Sequence, residues 1–175
     1  MNTRQPIDFE GRTEIRCIQQ LGMLRLWERL RGSAEMPQES RVRGEDIERL
    51  RDKLMMCDVE WRGGEPYFRI RFHGPDFDRS HGRNCSGKFL NDIMAPAIRE
   101  RGLKTYRHVV DCRIPAFNAT PIRDHEGRTV NYERLLLPFT RSGQGVDHIY
   151  SVITLFAEEN QSPFETMRNA VPQSS

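Results

Sequence analysis

The sequence lacks any apolar run approaching the ~20 residues that a membrane-spanning helix needs, and its mean hydropathy is −0.71. Residues 1–11 carry Arg4, Asp8 and Glu10, whereas a secretion signal has an apolar stretch in this region. We therefore expect a cytoplasmic protein without a membrane partner.

Cysteine is also scarce, with four residues at Cys17, Cys57, Cys85 and Cys112 and none of them in a CxxC pair. Their spacing matches neither the disulfide framework of a small secreted protein nor a zinc knuckle. We therefore interpret all four as free thiols in a reducing compartment.

Neither sign of charge is in large excess, since there are 27 basic and 25 acidic residues and the net charge is +2. Arginine outnumbers lysine 24 to 3, but the basic residues alternate with acids, as Arg41 and Arg43 do with Glu45 and Asp46. Interleaved charges are typical of a solvated surface, whereas a nucleic-acid binder shows a basic face or segment. The charge pattern therefore predicts no nucleic-acid partner.

Motifs that carry catalysis are missing as well. Gly82, Gly87 and Lys88 lack the strand–loop–helix spacing of a phosphate-binding loop. His108 and Cys112 would share one helix face, but a catalytic dyad also needs an orienting third group and a cleft. The spacing of the histidines and cysteines matches no standard metal site. We expect a protein that is not an enzyme and has no metal site.

What the sequence does contain is a succession of periodic apolar segments, enough for one domain with a hydrophobic core. Their order predicts helices over residues 13–31, 44–51, 88–94 and 96–112, and strands over 53–61, 67–73, 115–122, 129–139 and 147–157. Hairpin-linked strands with helices grouped between them indicate an α+β domain with a five-stranded antiparallel sheet. We assign this domain to residues 13–160, with a disordered N-terminus over 1–12 and a flexible C-terminal tail over 161–175.

The N-terminal helix has one main apolar sector and two leucines outside it. At the helical period one sector, which is predicted to pack on the domain, contains Ile15, Met23, Leu26, Trp27 and Leu30. Leu21 and Leu24 fall on the far side, where a two-fold dimer would use the same patch on both chains. We predict a homodimer with Leu21 and Leu24 in its interface.

Two of the predicted strands have informative patterns. In residues 67–73 the apolar Phe68, Ile70 and Phe72 alternate with charged residues, so these three are predicted to share one buried face. Residues 147–157 are apolar on both faces, which predicts a central strand that is covered on both sides.

The order of elements resembles that of a PAS domain, with two strands, a helical belt, three strands and a capping N-terminal helix. Three stretches are similar to a family of small alphaproteobacterial PAS-like proteins, namely 24–32 (LRLWERLRG), 72–75 (FHGP) with 81–87 (HGRNCSG), and 134–139 (RLLLPF). The resemblance implies a PAS fold and a sensory or regulatory role, and it implies no reaction.

In this architecture a cleft between the sheet and the helical belt is the default ligand site. An inward-facing Arg134 would bind an acid there, whereas an outward-facing one would pair with Glu133 or another strand, and strand alternation leaves both open. The expected partner is an unknown small molecule or a signalling protein. The candidate ligand-binding residues are Phe72, Tyr106, His108, Phe117, Tyr132 and Arg134.

No cofactor is expected, but alternatives stay open. Some PAS domains hold haem through a histidine on their longest helix, which makes His108 the candidate iron ligand. Asn84 and Cys85 resemble the core of the light-sensing flavin motif, although the Arg-Phe-Leu-Gln that should follow is absent. A further alternative is a ligand-free protein-interaction domain with a filled core.

Overall fold

The structure is a computed structural model that describes residues 8–10, 14–81, 84–94, 96–123 and 129–157. Each predicted strand agrees with an observed strand to within two residues at either end. The elements in chain order are β1 (Asp8–Glu10), α1 (Ile18–Arg31), a 3-10 turn (Glu39–Arg41), α2 (Gly44–Ile47), a second 3-10 turn (Glu48–Lys53), β2 (Leu54–Arg62), β3 (Glu65–His73), α3 (Pro75–His81), α4 (Leu90–Ile93), α5 (Pro96–Cys112), β4 (Ala116–Arg123), β5 (Thr129–Phe139) and β6 (His148–Ala157). The predicted tail over 161–175 lies outside the described residues. None of the helices described is long and apolar enough to cross a membrane.

Strands β2 to β6 form the predicted five-stranded antiparallel sheet, in the spatial order β4-β5-β6-β2-β3. A short additional strand, β1, pairs in parallel with the outer edge of β4. Because β1 lies within residues 1–12, the prediction that this whole segment is disordered is wrong for Asp8–Glu10. The edge of β4 offers unpaired backbone N–H and C=O groups, and pairing with them orders this short piece of chain.

β6 is the central strand that its two apolar faces predicted. It lies between β5 and β2, and all of residues 149–154 are buried. One face of the sheet, which we call the belt face, is covered by α5, where Tyr106 Oη lies 3.0 Å from Ser151 Oγ. The other face, which we call the α1 face, is covered by α1, where Gln20 Nε2 donates to the Val152 carbonyl oxygen at 2.9 Å.

Helix α1 begins at Ile18 and not at Thr13, which lies outside the described residues. Ile15 is nevertheless buried, because the non-helical chain before α1 carries it onto the core. Ile15 would be buried whether it lay on a helix or, as here, on non-helical chain before the helix. Its apolar character therefore did not show where the helix begins. The rest of the sector is as predicted, with Leu26 and Trp27 at 6% and 1% exposure.

Leu21 and Leu24 are half-buried and pack against the core, so the expectation that they lie apart from the packing of the domain is wrong, while their place in a dimer interface stays a prediction. The chain that follows α1 returns along it, for example where Arg41 Nη1 donates to the Leu30 carbonyl oxygen. A helix that packs on more than one side has more than one apolar sector, which a single-face analysis misses. A large apolar side chain that α1 does expose is Ile18, at 82%.

The β2–β3 hairpin contains a β-bulge that moves Phe72 to the other face of the sheet. In β2, Met56 pairs with Phe72 and the next residue, Cys57, pairs with Ile70. Arg71 is therefore the extra residue of the bulge. One extra residue reverses the alternation, so His73 is buried at 7% exposure while Phe72 is half-buried on the α1 face. The prediction that Phe72 shares a face with Phe68 and Ile70 is therefore wrong.

Candidate ligand-binding site

Strand β5 carries one arginine into the interior on the belt face. Arg134 is 5% exposed. Its chain neighbour Glu133 is fully buried and points to the α1 face, where Arg16 Nη2 lies 3.1 Å from Glu133 Oε1. Alternation along the strand therefore separates two adjacent charges onto opposite faces of the sheet. Of the two orientations that the sequence left open for Arg134, the structure has the inward one.

Polar side chains from α5 and from three strands surround this arginine. The Arg134 Nε donates to Asn118 Oδ1 at 3.3 Å, and Asn118 Nδ2 donates to Thr105 Oγ1 at 3.4 Å. The guanidinium carbon lies 4.9 Å from the centre of the Tyr106 ring, whose hydroxyl is the partner of Ser151. We call this group the Arg134 site, and its members are Thr105, Tyr106, Asn118, Tyr132, Arg134 and Ser151.

Three weakly acidic groups that interact electrostatically with the Arg134 guanidinium are held in their neutral forms. Burial raises the pKa of Tyr106 and that of Tyr132, and the positive charge of Arg134 opposes only part of each shift. Burial likewise raises the pKa of the Cys57 thiol, which Asp58 raises further and Arg134 lowers in part. At neutral pH these two phenols and this thiol therefore carry no negative charge.

The structure brings together three of the six predicted ligand-binding residues, namely Tyr106, Tyr132 and Arg134. Phe117 is fully buried, but it pairs across strands with Leu135 and so lies on the α1 face. Phe72 lies on that same face because of the β-bulge. These two phenylalanines belong to the packing on the α1 side and not to the Arg134 site.

His108, the sixth predicted residue, does not face the Arg134 site. It lies two residues beyond Tyr106 on α5, which places it ~160° away around the helix. It is half-buried, and its Nδ1 is 3.5 Å from Cys112 Sγ one turn further on. Haem in the Arg134 site with His108 as its ligand does not fit this arrangement, because the imidazole would have to point to the opposite side of α5.

Three members of the site, Thr105, Asn118 and Ser151, were missed by the sequence analysis. Ser151 did carry a signal, since it is a polar residue within an otherwise apolar stretch of β6. Asn118 is the direct cross-strand partner of Arg134, and that relation depends on the register of two strands. Without the register, nothing in the sequence connects these two residues.

Cys85, the cysteine of the flavin-motif fragment, is remote from the Arg134 site. It is fully buried, and its backbone N–H donates to His73 Nε2 at 2.8 Å, at the end of β3. Two strands separate β3 from β5, so the two strands are ~14 Å apart at the usual strand spacing. In the described part of the chain, no group of three or more histidine, cysteine or acidic side chains could hold a metal ion.

The order of the strands, the helical belt and the covering helix α1 agree with a comparison of the sequence with known families. The profile described as the PAS domain matches residues 18–169. The chain belongs to the PAS domain family. The match includes α1 and every strand from β2 to β6, and it supports a role as a sensory signalling module.

Several solved structures are similar to this PAS domain. The PAS domain from Bordetella pertussis BvgS is 18% identical with a TM-score of 0.48, over 71% of this chain and 91% of that one. The Rhodobacter sphaeroides LOV protein is 12% identical with a TM-score of 0.48, over 70% of this chain and 71% of that one. At such identities the likeness concerns the fold alone. No curated protein matches the sequence.

The α1 face of this PAS domain carries a cluster of charges around His148, which is 1% exposed. His148 Nδ1 is 2.8 Å from Asp58 Oδ1, and Nε2 is 3.0 Å from Glu39 Oε2. Tyr150 donates its hydroxyl to Glu39 Oε1 at 2.8 Å, and Arg71 pairs with both carboxylates. This His148 cluster, defined by these five residues, fastens the 3-10 turn after α1 to the sheet.

Glu39→Gln should make the stability of the PAS domain less sensitive to acid. Burial acts to raise the pKa of Glu39, but hydrogen bonds from His148, Arg71 and Tyr150 outweigh it and hold the pKa well below its ordinary value of 4.5. The ionised carboxylate therefore stabilises the fold fully above that ordinary value, and the contribution is lost as the pH falls below it.

Urea unfolding at pH 7 and at about pH 4 measures this effect. We expect the variant to be less stable than the wild type at pH 7 and to lose less free energy of unfolding between the two pH values. An equal loss in both proteins would show that Glu39 does not carry the acid sensitivity.

Proposed function

We propose that this PAS domain is a sensory or regulatory module that binds a small molecule at the Arg134 site and catalyses no reaction. The observation that carries the proposal is the polar interior between α5 and the sheet, where Thr105, Tyr106, Arg134 and Ser151 are each at most 5% exposed. Burying polar groups is unfavourable unless they are partnered. A few convergent polar groups in an otherwise apolar interior are typical of a ligand site.

The chemistry of the site favours binding over catalysis. The pKa of Tyr106 and the pKa of Cys57 are both raised by burial. A phenol and a thiol that stay protonated at neutral pH supply neither a nucleophile nor a general base. The alternative functions are a cofactor sensor and a ligand-free interaction domain. Native mass spectrometry and visible absorption distinguish them from small-molecule binding.

Native mass spectrometry of the protein as purified tests the proposal, because it shows the mass of a retained ligand. We expect a retained small molecule in the wild type and roughly fivefold weaker retention in Tyr106→Phe, since one lost buried hydrogen bond is worth about 1 kcal/mol. Tyr67→Phe is the matched control, because Tyr67 lies on β3 with its ring against Phe89, 5.9 Å between centroids.

Two results would contradict small-molecule binding. A folded wild type without any retained mass would favour the ligand-free interaction domain. A visible absorption band of bound haem would favour the cofactor sensor, with an iron ligand other than His108 at this site. Equal retention in Tyr106→Phe and Tyr67→Phe would place the ligand away from the Arg134 site.

We further propose that the module is cytoplasmic, stands alone as in the alphaproteobacterial family that it resembles, and passes its signal to a second chain. Homodimer formation with Leu21 and Leu24 in the interface stays a prediction, although both side chains also pack against the core of their own chain. The same native spectra report the oligomeric state. A monomer at tens of micromolar would contradict the dimer.

A further inference from the structure

The buried guanidinium of Arg134 makes few hydrogen bonds for its number of donors. An arginine side chain has five N–H donors and stays charged in proteins. Here Nε donates to Asn118 Oδ1 at 3.3 Å, and within the described part of the chain no acceptor lies within hydrogen-bond distance of Nη1 or Nη2. The terminal edge of the guanidinium is therefore available to an acceptor from outside the chain.

This charge also lacks a carboxylate partner among the described residues. Glu133, its neighbour in sequence, lies on the opposite face and is bound by Arg16. On the belt face its neighbours are the ring of Tyr106 and the neutral groups of Tyr132 and Cys57. A buried charge without a counter-ion is destabilising, and a cation–π contact with one ring compensates only in part.

Arginines on the other face of the same sheet show the ordinary arrangement. Arg16 serves the buried carboxylate of Glu133, and Arg71 pairs with Glu39 and with Asp58. Both are more than a third exposed at the side chain and still have acidic partners. Arg134 is the more deeply buried and has none among the described residues, which is the arrangement expected where a ligand brings the negative charge.

Resting on the proposed function, we infer that the ligand of the Arg134 site is an organic acid whose carboxylate binds Nη1 and Nη2 of Arg134. Guanidinium and carboxylate groups match as two parallel N–H···O bonds. The Asn118 contact at Nε fixes the plane of the guanidinium and leaves that far edge open. Val109 on α5 and Ile153 on β6 belong to the buried apolar interior between this helix and the sheet.

The stability of the ligand-free protein gives the first test. After denaturation and refolding without ligand, Arg134→Met should have a thermal midpoint equal to or above that of the wild type, because it removes an unpaired buried charge. Arg16→Met is the matched control and should lower the midpoint, because it removes a charged hydrogen-bond donor from the buried Glu133 carboxylate. A fall in Arg134→Met as large as that in Arg16→Met would overturn the inference, since the guanidinium would then be a structural element.

Ligand class is tested with acetate, butyrate, hexanoate and benzoate against the corresponding amides, at constant ionic strength. We expect the acids to raise the thermal midpoint of the wild type, and to raise it more the larger their apolar part is. The amides should raise this midpoint at least threefold less. The thermal midpoint of Arg134→Met should change with neither acids nor amides. Each amide has nearly the shape of its acid but no charge, so the pair isolates the carboxylate.

The outcomes separate this inference from the proposed function. Equal responses to acids and amides, or a retained ligand without an acidic group, would overturn the organic acid and leave a small-molecule site. Acid responses that persist in Arg134→Met would move the anion to another position. A wild type without a retained mass and without a response to any probe would overturn both.

Discussion

We expect Gly74→Ala to destabilise this PAS domain by about 3 kcal/mol. A Cβ atom at this position would lie 2.1 Å from the carbonyl oxygen of Arg51 and 2.4 Å from that of Asp52. Both contacts are with backbone of the 3-10 turn that precedes β2, so no side-chain rotation relieves them. The Gly74 N–H also donates to the Leu54 carbonyl oxygen at 2.9 Å, which ties the end of β3 to the start of β2.

Gly22→Ala is the matched control for this substitution. Gly22 lies within α1, and a Cβ there would meet nothing within 4 Å. Replacing an exposed helical glycine with alanine stabilises a helix by about 0.5–1 kcal/mol. Urea unfolding followed by the fluorescence of the buried Trp27 measures both variants. A Gly74→Ala protein within error of the wild type would show that the backbone yields at this contact.

The second large effect is expected for His148→Phe, which should lower the free energy of unfolding by about 2–3 kcal/mol. The ring is nearly completely buried, and each of its nitrogens lies within hydrogen-bond distance of a carboxylate oxygen. Phenylalanine fills a similar volume but removes both ring nitrogens that contact Asp58 and Glu39. Within the His148 cluster, Arg71 is then the cation that still pairs with the two carboxylates. The two carboxylates are 29% and 20% exposed, and for this reason the expected loss is below that of a completely buried pair.

An exposed ion pair provides the control for the His148 cluster. Arg43 and Glu45 lie 3.5 Å apart with side chains 78% and 75% exposed. Glu45→Gln should change the free energy of unfolding by less than about 0.5 kcal/mol. Chemical unfolding at pH 7 compares the two variants. Similar small effects in both would mean that solvent replaces His148 at little cost.

His148 lies on the α1 face and Gly74 lies between β3 and α3. The Arg134 site lies on the belt face. The central strand β6 separates them and contributes to both, through Ser151 on the belt face and through His148 and Tyr150 on the α1 face. On the α1 face the described carboxylates of Glu133, Glu39 and Asp58 pair with arginines of the chain, whereas Arg134 on the belt face has no acidic partner among the described residues. In the proposal, the two faces of one sheet therefore divide structural from sensory roles.

Local sequence pattern was sufficient for most of the architecture. The period of two and the hairpin turns located the five antiparallel strands, and the two apolar faces of residues 147–157 identified β6 as central. Helix α5 was found over its full length, with Leu103, Tyr106 and Val110 buried as a stripe. These features depend on residues near one another in the chain, and for this reason one sequence determines them.

The site depended on relations that the local pattern does not contain. A single extra residue at Arg71 reversed the alternation of β3 and moved Phe72 away from the belt face, and no residue type in the sequence marks that bulge. The facing of His108 depended on the rotation of α5 against the sheet. The burial of Leu21 and Leu24 depended on the packing of α1 against the core.

The sequence by itself therefore determined the order of the main elements, the antiparallel sheet and its central strand. Only the tertiary structure decided that Arg134 points inward while Glu133 points to Arg16, and that Asn118 and Ser151 join the arginine. Alternation says that neighbouring residues of a strand face opposite sides, but it does not say which side a helix covers. The register between strands and the packing of α1 and α5 on the two faces make that choice, because they bring together residues distant in sequence.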